Sequence, residues 1–406
     1  MHFIEDIKKE NFEAFCKEKN SDFMQTYAWG QFQAKARDQI AHYVGLEKNG
    51  KLVCVALLLE KKGPFGYSYF YSPRGFVMDY KLYLDEFTAK LKQFLKKRKA
   101  IYLKVDPDLV YQTLDEKGNA IATIESTKEI YDHFLKLGYH HTGFNLYFDH
   151  NQPRFTFRIS FDHSLEELEK KIHKSVWKKI KKTSQYHMTF RETKDIQTFH
   201  ELIEQVGERD NFEAYSYDYY QDFYNYMSPD HAKVFELSVN PKLLFQERTE
   251  ELNKLKQDLE EKKIKENDIQ NVQNSCERLQ KEIDLLEPYK EKEDVVVCSQ
   301  ICAYNQTRLW TLYIGNNDLG KNFYAVNRMY YEVIKYGKEN GFQDLDLFGT
   351  VGDPNTDAYN YAGLHNFKKN FGGEYIELIG EFDLICKPFF YRILPTALKI
   401  IRKIKR

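Results

Sequence analysis

Apolar residues recur along this chain with two periods, and the switches between them predict one α/β plan run through twice. In the first half, His42–Glu47 and Leu52–Leu59 alternate as strands around Lys48-Asn49-Gly50. Asn-Gly accepts the positive φ that a tight hairpin turn demands. A strand at Tyr67–Tyr71, a helix over Tyr83–Lys97 and a strand at Ala100–Val105 come next. In the second half, strands at Lys233–Val239, Val295–Tyr304 and Leu309–Ile314, a helix over Ala325–Asn340 and a strand at Asp344–Phe348 repeat that order. Strand, strand, strand, helix, strand, given twice, predicts two similar lobes of α/β (α+β) class. At the N-terminus, Ile4, Ile7, Phe12 and Phe15 predict an amphipathic helix across Met1–Asn20.

One segment interrupts the repeat where the second lobe's first hairpin turn would fall. Its apolar positions are Leu252, Leu255 and Leu259, then Ile269, Val272, Cys276, Leu279, Ile283 and Leu286 in alternating steps of three and four. A polar reversal at Lys263–Asp268 separates the two runs, and Pro288 marks the end of the second helix. Two helices of about 20 residues make an arm roughly 30 Å long. Each run is short for stable pairing between chains. The pattern therefore favours an antiparallel arm that touches a large partner, building no core for the body, over a dimerisation coiled coil.

At 406 residues, 42% hydrophobic and 16% aromatic, the chain can bury the cores of two or three domains. The formal net charge is -1, so attraction to polyanions must come from local patches. No apolar run approaches the roughly 18 residues of a membrane span, and no secretion-type leader opens the chain. Six scattered cysteines (16, 54, 276, 298, 302, 386) fit a reducing cytoplasm, and Cys298 and Cys302 have no nearby His or Cys to complete a metal set.

Three stretches carry candidate chemistry. In Gly363–Gly373, after the polar loop Gly349–Asp357, Lys368 stands between Phe367 and Phe371. A lysine desolvated by such neighbours can stabilise a developing oxyanion, although aromatic flanks alone also suit a surface lysine. In Lys171–Lys182, Ile172, Val176 and Ile180 repeat every four residues, leaving Lys174, Lys178 and Lys181 along one outer edge of a helix. That edge suits a phosphate backbone or a solvated face. The segment Lys387–Arg406 carries seven Lys or Arg and no acid among aromatic and aliphatic residues, as a helix at an anionic membrane surface would, or one docked on the body. No Ser-His-Asp or Cys-His pattern competes. Asp106 has the geometry of a base, but Asp-Pro after a strand is first a turn signal, and the general base is left unassigned.

The element order of both lobes is that of N-acetyltransferase-like folds. Gly315–Gly320 fits the expected pyrophosphate turn poorly, so acetyl-CoA is not the expected donor. Specific blocks go further: Gln25–Gly30 with Trp29, Tyr71–Asp79 with Arg74, Lys104–Pro107, Gln152–Arg154, Glu208-Arg209 ahead of Tyr219-Tyr220, and Gly363–Gly373. Together they span nearly the whole body, and the chain resembles the FemABX family, in particular its MurM-like branch. The resemblance implies two acetyltransferase-like lobes and an inserted antiparallel coiled-coil arm. It implies transfer of an amino acid from aminoacyl-tRNA to the stem peptide of a lipid-linked peptidoglycan precursor, with no metal or organic cofactor.

By the same resemblance, Lys368 with Phe367 beside it matches the group that stabilises the tetrahedral intermediate, and Arg209 matches a precursor-phosphate contact. Trp29, Arg74 and Tyr215 join the substrate-binding set, Tyr215 standing near where the family has a second arginine. The family's lysine four residues after the tryptophan is Gln33 here. Lys35 is taken as its replacement, with Arg37 as the other basic residue in reach. An aminoacyl ester is already activated, so orientation and oxyanion stabilisation suffice for its transfer. An aminoacyl-tRNA:protein transferase and a non-catalytic RNA or membrane adaptor remain as alternatives. The chain divides into a first lobe (1–150), a second lobe (151–240 and 293–387), an arm (241–292) and a basic amphipathic tail (388–406), working at the inner face of the plasma membrane.

Overall fold

The computed structural model describes residues 1–63, 66–148, 151–356 and 361–393. Two sheets form the body. In the first, of eight strands, the path runs His2–Ile4, Ile40–Lys48, Lys51–Lys62, Ser68–Arg74, Ala100–Pro107, Phe382–Ile385, Tyr139–His141, with Val77–Met78 paired off Lys51–Lys62. The second, of nine, runs Thr189–Thr193, Ala232–Val239, Val295–Tyr304, Arg308–Asn316, Asp344–Asp346, Phe155–Ser160, Glu374–Leu378, Val110–Leu114, Ala120–Thr123. The expected order recurs in both. Each sheet has one parallel pair, Ser68–Arg74 with Ala100–Pro107 and Arg308–Asn316 with Asp344–Asp346, bridged by the helices Tyr80–Lys97 and Ala325–Glu339. Asn49 (φ 53°) and Gly50 (φ 76°) make the predicted hairpin turn.

The lobes are not consecutive in sequence. Val110–Leu114 and Ala120–Thr123, placed by sequence in the first lobe, extend the second sheet, while Phe382–Ile385 leaves the second and slots between Ala100–Pro107 and Tyr139–His141. A division at residue 150 therefore cuts through an exchange of strands. The lobes also share a core: Phe12, Trp29, Phe32 and Leu57 pack in one cluster with Phe199, Phe223, Ile301 and Trp310. Burial of a Phe or Leu side chain contributes ≈ 1.5–3 kcal/mol, so this shared seam ties the lobes firmly together.

Two predicted helices are corrected. The N-terminus begins as the strand His2–Ile4, paired with Gly45–Glu47, and the helix spans only Lys9–Glu18. The lysine-rich helix is broken into Leu165–Lys171 and Lys174–Lys182. At the break the His173 N–H donates to the Asn370 carbonyl (2.8 Å). Gly372 passes close beneath: its φ is 78°, and a Cβ there would lie 2.6 Å from the Lys171 carbonyl oxygen.

The arm is a hairpin of Pro241–Glu260 and Ile269–Leu286. Asn240 caps the first helix through the Leu243 N–H (2.9 Å) and Pro241 opens it. Leu252, Leu279 and Ile283 are buried in a cluster of their own, whereas Leu259, Ile269 and Val272 toward the tip are half-buried. Contrary to expectation, the base does contribute to the body, because Leu244 and Leu286 belong to the second lobe's core. There Arg248 is also fixed, donating to Glu282 (3.0 Å) and to the Gln185 carbonyl (2.7 Å).

Candidate functional site

A cleft of about 560 Å3 opens between the lobes. The helix Tyr27–Arg37 forms one wall, started by Thr26, whose Oγ1 accepts the Trp29 N–H (3.1 Å). Helical phase then decides which side chains enter: Trp29, Gln33 and Arg37, spaced by four, all line the cleft, and Lys35 does not. Lys35 is exposed instead. Choosing it as the replacement cation is thus corrected in favour of Arg37. Two positions along a helix turn a side chain by about 200° at 3.6 residues per turn.

The facing wall comes from the second lobe. Tyr215 stacks on Tyr219 with ring centroids 4.1 Å apart, and the Arg37 guanidinium lies over both rings, at 5.1 and 5.3 Å. Tyr215 is 43% exposed and forms the outer lip. Trp29, 7% exposed, leaves its Nε1–H without a hydrogen-bond partner among the described residues. Among the described residues Arg37 and Lys61 are the charged residues of the lining, and no described Asp or Glu lines it. An aromatic slot with cations alone selects for anions carrying a flat or extended body.

The cleft floor is Phe348, and Lys368 stands directly behind it. Helix Tyr361–Lys369 buries Lys368 to 7% exposure, and its Nζ donates to the carbonyls of Phe348 (2.9 Å) and Gly349 (2.7 Å). An ammonium has three N–H donors, so among the described residues one is left for a further acceptor. Burial pushes Lys368 down to about 7, with Asp346 pulling the other way. Phe348 has φ 57°, a conformation costing about 1–3 kcal/mol in a non-glycine residue, of the kind that clusters at functional sites. It is held there by Lys368 and by its own N–H, which donates to Asp346 Oδ1 (2.8 Å).

Beneath the cleft a neck of about 10 Å3, room for roughly one water, is lined by Asp22, Arg74, Asp108, Arg158, Asp346, Phe348 and Gly349. Of these, Arg74, Asp108, Asp346, Phe348 and Gly349 lie at or just past the carboxyl ends of Ser68–Arg74, Ala100–Pro107 and Asp344–Asp346, where open α/β sheets place their sites. Arg74, φ 52°, donates from Nη2 to the Pro153 carbonyl (2.8 Å). Asp106 uses both oxygens to hold that turn, accepting from Tyr71 Oη and from the Arg74 N–H (each 2.8 Å), and burial pushes its carboxyl up to about 6 against the pull of Arg74. Asp108 bonds to Arg158 and to Arg308 (2.9 Å). Burial works to raise its carboxyl, yet Arg158, Arg308 and Arg74 together hold it well below the usual range.

Other sequence candidates lie elsewhere. Arg209 is outside the lining; its Nη2 donates to Asn316 Oδ1 (2.8 Å), three residues beyond the cleft residue Tyr313. Phe367 packs on Tyr330 (centroids 5.1 Å) and Phe371, away from the cleft floor. Lys174, Lys178 and Lys181 are exposed on Lys174–Lys182. In the tail, the described part shows Phe389 71% exposed and Tyr391 Oη donating to Asp383 (2.6 Å); the basic and apolar positions from 394 onward lie outside the described residues. Lys61, Tyr313 and Phe348 carry no local sequence signal, and only the convergence of distant strands brings them to the cleft.

Comparison with known proteins places this geometry in context. The chain is 29% identical to the lipid II:glycine glycyltransferase of Staphylococcus aureus strain MRSA252, over 98% of this chain and 99% of that protein. The corresponding protein of strain USA300 matches at the same identity and coverage. Among solved structures, FemX superposes with a TM-score of 0.76 at 26% identity, covering 97% of this chain and 99% of its own. A family model described as the FemAB family matches residues 7–399, and the chain belongs to that family.

Proposed function

We propose that this protein transfers an amino acid from aminoacyl-tRNA to the stem peptide of a lipid-linked peptidoglycan precursor. The carrying observation is a buried ammonium with one N–H unspent among the described residues, behind a cleft whose described lining holds cations and aromatics and no acid. The cleft receives the precursor, its diphosphate drawn to Arg37 and Lys61, with Trp29 and Tyr215 shaping the slot and Arg74 in the neck beneath it. The donor ester reacts beside Phe348. As the acceptor amine adds to the ester carbonyl, charge develops on oxygen, and Lys368 offers its free N–H to it; collapse then breaks the ester C–O bond, and the tRNA hydroxyl leaves with the proton that the amine gives up. The arm and the face of Lys174, Lys178 and Lys181 hold the tRNA, and the basic tail keeps the enzyme at the inner face of the membrane beside its acceptor. Relatives named for glycyl transfer to lipid II support the acceptor.

The test is a transfer assay with purified lipid-linked precursor and a panel of radiolabelled aminoacyl-tRNAs, followed by mass analysis. One or more labels should enter the stem peptide; incorporation from none sinks the reading. In the same assay Arg37→Ala should raise the KM for the precursor about 10-fold or more, in keeping with loss of a charge-assisted contact of ≈ 1.5–3 kcal/mol, and leave kcat nearly unchanged. Lys35→Ala should do neither.

A further inference from the structure

Lys368 can act only if the loop that seats it stays in place, and a second side chain of the same helix grips that loop. His365 and Lys368 are three residues apart on Tyr361–Lys369, hence neighbours on one face. Both reach back to the segment after Asp344–Asp346. Lys368 takes the carbonyls of Phe348 and Gly349, while His365 Nδ1 shares a hydrogen bond of 3.1 Å with Thr350 Oγ1. His365 is 0% exposed, packed edge-on against Phe157 and Tyr375 at centroid distances of 5.1 and 5.0 Å. Tyr375 Oη donates to the next carbonyl, Val351 (2.5 Å), and the Thr350 N–H donates to Phe155 (2.8 Å). So residues 348 to 351 are pinned at every position, and the pin at 350 is a side-chain pair.

We propose that His365, through Thr350, is a positioning residue for Lys368, fixing the two carbonyls that aim its ammonium. This rests on the transfer reading above for its catalytic meaning, though not for its geometry. A histidine suits the task because burial, with the charge of Lys369, pushes it down to about 4, so it stays neutral and does not compete with the ammonium beside it. The charged groups acting on the pair are Asp346, which faces Lys368 from the strand before the loop, and Lys369 of the same helix, which acts on His365. Neither is altered by changing His365. An apolar side chain of similar size would fill the space and leave Thr350 free to turn, and with it the strained Phe348.

The experiment uses full-length protein with lysine labelled at Cε, the Lys368 signal being the one missing from Lys368→Met. His365→Leu and Thr350→Val should each shift the Lys368 titration midpoint by about half a pH unit or more. His365→Asn, whose amide can replace Nδ1, should restore the wild-type midpoint. In transfer assays the first two should lower kcat about 10-fold or more, as for a small displacement of a catalytic group, with both KM values unchanged, and combining them should add little. The proposal is overturned if the midpoint in His365→Leu and Thr350→Val stays at the wild-type value, or if His365→Asn behaves as His365→Leu does. The titration needs no substrate. A wild-type enzyme that transfers nothing would therefore defeat the functional reading while leaving the positioning result to be read on its own.

Discussion

Lys368→Met should lower kcat by about 10²–10³-fold, the loss seen when one preorganised oxyanion donor is removed, while affinity for the precursor changes little. The cause is the N–H left unspent among the described residues on an ammonium whose other two donors are held by the Phe348 and Gly349 carbonyls. Because burial brings Lys368 to about 7, the protonated form is lost as pH rises through that value, and kcat/KM should show an alkaline limb there. Lys368→Arg, which cannot lose its proton in this range, should lack that limb whatever its residual rate. The same group makes a stability prediction of opposite sense. Its folded value lies below the ≈ 10.4 of an unfolded lysine, so the unfolded state binds more protons between the two. Stability should rise as pH climbs from about 7 toward 10.4, and Lys368→Met should abolish that rise. An alkaline limb unchanged in Lys368→Arg would remove Lys368 from the reaction.

The second large effect concerns the neck. Asp108→Asn should destabilise the fold by about 3–5 kcal/mol, because removing one member of a buried ionic group leaves its partners uncompensated. Those partners are Arg158 and Arg308, which also bind Asp346 and Asp344. The pH dependence follows from the depressed Asp108 carboxyl. Its stabilisation is complete above the unfolded value of ≈ 3.9 and is lost as pH falls toward the folded one. Denaturant titrations of both proteins at neutral and acid pH should therefore show a difference that shrinks on acidification; a constant difference would mean that the carboxylate charge is not what the site needs.

What could be read in advance depended on how local the cause was. The Asn49-Gly50 turn and the arm, with Pro241 at one start and Pro288 past the other end, are written in neighbouring residues, and the structure has both. The burial of Lys368 was not settled by its aromatic flanks, which suit a surface lysine as well; its role was read from resemblance. Arg37 rather than Lys35 turns on helical phase, which the position of Trp29 carried but which a count of basic residues ignored. The break at Ile172–His173 was hidden because the carbonyl that takes the His173 N–H belongs to Asn370, far along the chain. Arg209 was placed by resemblance, and its bond to Asn316 has no trace in its own neighbourhood.

Tyr139–His141 pairs with a single strand, Phe382–Ile385. During synthesis at about 5–20 residues per second, the first sheet must wait on the order of tens of seconds for that partner to leave the ribosome. Until then Ala100–Pro107 presents an open edge, a ready template for wrong pairing. The last-made strand among the described residues therefore closes the first-made sheet, and a chain truncated just before residue 382 would hold every strand of the second sheet yet leave the first one open.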